Sequence, residues 1–104
     1  MADYVHRDVI ITYYADEDVD KSITTWLESF RKDLDKENMA QLLLGPIAIG
    51  NGMFRVFLSS SGSGEGWPVN RRHLEFCREL LEHFKYRAVM VENSDLVGLS
   101  VVSG

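Results

Sequence analysis

The chain has 104 residues, 45% of them apolar and 26% charged, with a formal net charge of −5. That suffices for one domain spanning 1–104 with its own hydrophobic core, and it excludes a disordered or fibrous chain. Residues 1–45 hold ten acids and five bases, whereas residues 46–104 hold six of each, so nucleic acid is disfavoured as a partner for want of a concentrated basic surface.

Residues 1–7 read as a lead-in, with neither the basic nor the apolar stretch of a secretory signal. From Asp8, DVIITYY is rich in β-branched and aromatic residues and predicts a strand to Tyr14, apolar on both faces and therefore central. Asp16 or Asp18 then caps a helix over about 18–35. Its buried stripe is Val19, Ile23, Trp26, Leu27, Phe30 and Leu34. Asn38 reads as the cap of a short turn from Met39 to Leu43, stopped by Gly45-Pro46.

Leu43 to Ser59 carries the firmest local signal. Asn51-Gly52 separates two apolar runs, and both residues tolerate the positive φ of a tight turn. The spacing predicts a hairpin of roughly 46–50 and 53–59, with Phe54, Val56 and Leu58 alternating against Met53, Arg55 and Phe57. A loop, SSSGSGEGWP, follows, in which Gly62, Gly64 and Gly66 supply mobility. A second helix is predicted over about 70–84 on Leu74, Cys77, Leu80, Leu81 and Phe84, with Phe76 widening that stripe or meeting a partner. Residues 86–92 read as a strand, Asn93 to Asp95 as a turn, and Leu96 to Val102 as an added strand. The order fits an α+β, ferredoxin-like split β-α-β-β-α-β sheet with two helices on one face and an extra C-terminal strand.

Motifs for chemistry are weak. The glycine loop has G-x-G-x-G spacing, and Glu65 would repel phosphate. Asp16, Asp18 and Asp20 alternate like the first ligands of a calcium loop, but Lys21 and Leu27 stand where glycine and glutamate belong. His73 and Cys77 are one helical turn apart, yet zinc needs two more convergent ligands. A single cysteine excludes an internal disulfide framework and suits a reducing, cytoplasmic setting. Neither a metal nor a cofactor is expected. No apolar run reaches the roughly 18 residues of a membrane helix.

Three functions remain. The first is a non-catalytic, small acidic protein-binding module, an inhibitor or neutraliser of a partner with a basic surface. In it Asp16, Glu17, Asp18 and Asp20 steer and Trp67 anchors. The second is a nucleic-acid-binding module on a helix-free sheet face formed by Tyr13, Arg55, Phe57, Tyr86 and Met90, a face that a homodimer would otherwise bury. The third is a small enzyme at a dimer seam, using His73 or His83.

Overall fold

The computed structural model describes residues 5–62, 67–94 and 98–103, apart from the side chains of Glu17 and Val19. In chain order the elements are β1 (Val5–Tyr14), α1 (Glu17–Lys36), β2 (Leu43–Gly50), β3 (Met53–Leu58), α2 (Pro68–Phe84), β4 (Ala88–Ser94) and β5 (Gly98–Ser103). Single 3-10 turns stand at Ala40–Leu42 and Lys85–Arg87. The five strands form one antiparallel sheet in the order β2-β3-β1-β4-β5, with β1 in the middle, as its two apolar faces predict.

Period-two alternation decides which side chains reach the helices. Val9, Ile11 and Tyr13 of β1 are buried beside Val56 and Leu58 of β3 and Ala88 and Met90 of β4. Onto this row pack Ile23, Leu27, Phe30 and Leu34 from α1, and Phe76, Cys77, Leu80 and Phe84 from α2. Phe30 meets Phe76 edge to face at 5.6 Å. Each such side chain contributes roughly 1.5–3 kcal/mol by leaving water. Phe76 therefore belongs to the core and does not await a partner.

The α1 terminus differs from the sequence expectation. Asn38 does not open a new turn; it closes the helix, at φ 59°. Its N–H donates to the Asp35 carbonyl at 3.0 Å, and that of Met39 donates to Leu34 at 2.9 Å. This is the Schellman pattern, and Leu34 and Met39 bury the hydrophobic contact that accompanies it. Arg31 then donates to the carbonyls of Ala40 and Leu43 at 3.1 and 3.0 Å, holding the start of β2 against α1. As a result β2 begins at Leu43, with Gly45-Pro46 inside it where a stop was expected. Gly45, at φ 104°, passes so close to β3 that a Cβ would lie 2.7 Å from the Arg55 carbonyl oxygen.

The Asn51-Gly52 turn forms as predicted, with φ of 55° and 75°. The first strand is longer than expected, since Val5 to Arg7 pair with Ser94 to Glu92 and are no lead-in. Helix α2 starts at Pro68, a residue suited to a first helical position. The strand predicted at 86 begins at Ala88, because Lys85–Arg87 form a 3-10 turn. Asn93 and Ser94 extend β4, and the remainder of that expected turn lies outside the described residues.

Candidate functional site

The helices cover one face of the sheet only. On the other, Ile10 forms the centre, flanked in register by Phe57 of β3 and Val89 of β4. Leu44 pairs with Phe57, and Val101 pairs with Val91, extending the apolar surface to both edges. Tyr14, Leu99 and Val101 are 70, 71 and 63% exposed. A solvated antiparallel face ordinarily alternates to polar residues. Here the described residues place just two charged side chains on it, Asp8 and Arg55. Arg55 Nε donates to Thr12 Oγ1 at 3.2 Å, and Asp8 accepts the Ser60 N–H at 3.0 Å.

Of the five residues expected to share this face, the structure brings together Arg55 and Phe57 alone. Tyr13 and Met90 point the opposite way and are core residues, 2 and 5% exposed. The reason is register: Val9 opposes both Leu58 and Met90, so those side chains and Tyr13 share the helix side. Tyr86 is 98% exposed, but in the 3-10 turn that precedes β4, off the sheet. The aromatic platform for stacking bases is thus not assembled.

The acid-and-tryptophan pair is likewise divided. Asp16, Asp18 and Asp20, with Glu17 in the same turn, follow the end of β1 at Tyr14, where Ala15 donates to the Gly52 carbonyl at 3.2 Å. Trp67 is exposed at the start of α2, whose Asn70 reaches Val5 at the other end of β1. A ten-residue strand separates them by roughly 30 Å. Gly62 is described, its N–H donating to Ser60 Oγ at 3.2 Å; Gly64 and Gly66 lie outside the described residues.

Near Trp67 lies a buried polar cluster that the sequence reading missed. Arg7 bonds Glu92 through Nε at 3.0 Å and Asn70 through Nη1 at 3.1 Å. Asn70 Nδ2 donates to the Val5 carbonyl at 3.2 Å. His73 Nε2 contacts the Ser59 carbonyl at 2.7 Å, so it carries the proton, and Nδ1 faces the Cys77 thiol at 3.6 Å. Burial lowers the proton affinity of His73 and pushes the Cys77 thiol up to about 12. A neutral imidazole beside a neutral thiol is not a nucleophilic pair, because the thiolate is the reactive form. The cluster ties α2 to β1. Its signal was available: Asn70 and His73 continue the buried stripe of Cys77 at helical spacing, and polar groups there require partners.

His83 stacks on Trp26, ring centroids 3.8 Å apart and 8° from parallel, and desolvation lowers its proton affinity. It lines a groove of about 400 Å³ with Ser22, Ile23, Glu82, Tyr86 and Arg87. Glu82 is exposed there and pairs with Lys85 at 3.6 Å. Water reaches these groups, so the groove lacks the dry setting that strengthens acid–base catalysis. Among the described residues no three His, Cys, Asp or Glu side chains converge to hold a metal ion, and no helix is long and apolar enough to cross a membrane. No protein family matches the chain, and neither a curated protein nor a solved structure does.

Proposed function

We propose that this protein is a non-catalytic protein-binding module whose contact surface is the helix-free face of its sheet. The observation that carries the reading is that apolar side chains reach across this face from Leu44 of β2 through Phe57, Ile10 and Val89 to Val101 of β5, with no described helix over them. Contiguous apolar surface beyond a few hundred Å² is uncommon on a monomer and marks a contact. The first four strands and two helices follow the ferredoxin-like split β-α-β plan, which leaves one sheet face free for such use; β5 widens it. Asp16, Asp18 and Asp20 border the hairpin end of the same sheet and favour basic groups on whatever reaches past that edge. An inhibitor or neutraliser of a basic protein, acting in the cytoplasm, would meet that protein along this acidic edge.

Affinity capture from native lysate tests the reading, comparing the wild type with the double variant L99K/V101K. Both positions are largely exposed, so the fold tolerates lysine there. The expected result is polypeptide captured by the wild type, resistant to nuclease treatment and lost with the variant. Nucleic acid as the captured material, or a protein set indifferent to the two lysines, would contradict it.

A further inference from the structure

We infer that the occupant of the open face is a second copy of this chain, packed face to face and turned end for end, with Asp8 of each copy set against Arg55 of the other. This rests on the protein-contact reading above and names the partner.

Size comes first. Five strands at about 4.8 Å spacing, each giving about six residues at ~3.3 Å, make a face of roughly 24 by 20 Å. Its planar footprint is on the order of 500 Å², and more as accessible surface once side chains roughen it. Stable interfaces remove about 800 Å² per partner. The whole face must therefore be covered, by something equally broad and apolar. A copy of itself meets that need, and two sheets then stack as in a sandwich, about 10 Å apart.

Charge selects the orientation. Asp8 and Thr12 lie two residues on either side of Ile10 along β1, and Arg55 is the cross-strand partner of Thr12. A two-fold axis in the interface, crossing β1 at Ile10 at right angles to the strands, exchanges positions 8 and 12. Asp8 of one copy then stands over Thr12 of the other, where the Arg55 guanidinium is already held by its 3.2 Å bond to the Thr12 hydroxyl. The same operation makes the contact isologous, with both charges paired twice. It places Ile10, Phe57 and Val89 at the dry centre and the ion pairs toward the rim, the usual anatomy of an interface. It also sends the acidic ends, Asp16 to Asp20, to opposite ends of the dimer. A parallel arrangement would bring these like charges together and oppose Asp8 to Asp8.

Sedimentation velocity over a range of concentrations tests this on the full chain, with unfolding curves as a check on each variant. The wild type is expected to dimerise. Asp8→Arg and Arg55→Asp should each weaken dimerisation by about tenfold or more, and the reciprocal variant D8R/R55D should recover most of the loss. Tyr14→Lys, at a largely exposed site on the face, should also abolish the dimer while leaving the monomer folded. A wild type that stays monomeric, yet captures another protein in a manner lost with L99K/V101K, overturns the self-association and leaves the contact reading standing. A dimer indifferent to Tyr14→Lys overturns it too and points to pairing through the β5 edge. Dimerisation weakened by the single swaps but not recovered in the reciprocal variant overturns the proposed orientation.

Discussion

The two faces of the sheet are written on the same strands one residue out of phase, and both are apolar. On the covered face, Val9, Ile11 and Tyr13 meet α1 and α2 within the same chain and are removed from water. On the other, Ile10, Tyr14, Phe57, Leu99 and Val101 face away from both helices, and Tyr14, Leu99 and Val101 are largely exposed. The same residue types thus stabilise the fold on one side and, in the function we propose, await a partner on the other. The difference teaches that composition states a demand for burial without saying who meets it; only the placement of the helices divides core from contact surface.

The sharpest test of that division is a pair of truncations. Phe30→Ala, beneath the covered face, should cost about 3–5 kcal/mol in urea-induced unfolding. Val101→Ala on the open face should change the stability of the monomer by no more than about 0.5 kcal/mol. Comparable losses would mean that the open face is already buried in the isolated chain.

The covered side also holds a charged group, and removing it comes next in size. Arg7→Ala removes the guanidinium that donates to Glu92 and to Asn70 Oδ1 at the end of β1 and should destabilise by about 2–4 kcal/mol. Arg55→Ala on the open face, where Thr12 is the hydrogen-bond partner, should cost about 1 kcal/mol or less in the monomer. Equal costs would remove the contrast between a structural and a contact arginine.

A pH series reaches the same contrast from another direction. Burial holds His73 below its ordinary proton affinity. The unfolded chain therefore binds that proton first, and stability should decline as pH falls below about 6.5, by at most about 1.4 kcal/mol per pH unit for this one group. His73→Gln keeps a donor for the Ser59 carbonyl and should flatten the decline between pH 6.5 and 5. An unchanged slope would place the titrating group elsewhere.

The smallest expected effect concerns Tyr13, whose buried hydroxyl has no hydrogen-bond partner among the described residues. Tyr13→Phe should be neutral or stabilising, by about 1 kcal/mol at most. A clear loss would show that the hydroxyl makes a contact the folded monomer does not contain.

Much of the fold was legible in short-range pattern. Asn51-Gly52 dictated its turn, and the stripe from Ile23 to Leu34 dictated α1, because each depends on neighbours within one or two turns. Other features depend on distant groups. The entry of Gly45-Pro46 into β2 rests on Arg31 holding the preceding carbonyls, and Asn38 ends α1 because Met39 can bury against Leu34. The helix-free face was only half readable. Alternation in β3 placed Arg55 and Phe57 correctly, but the faces of Tyr13 and Met90 follow from cross-strand register, and Tyr86 left the sheet with the 3-10 turn at Lys85. Arg7 was overlooked as part of an apparent lead-in, although it continues the period of Val9, Ile11 and Tyr13.

The central claim, that the helix-free face is a surface for protein contact, is tested most directly by carbene footprinting of the wild type in dilute and in concentrated solution. Tyr14, Met53 and Phe57 should be labelled when dilute and shielded when concentrated, with Tyr86 and Trp67 labelled equally in both. Labelling of all five that does not change with concentration, in a chain that also captures no protein, would contradict the account.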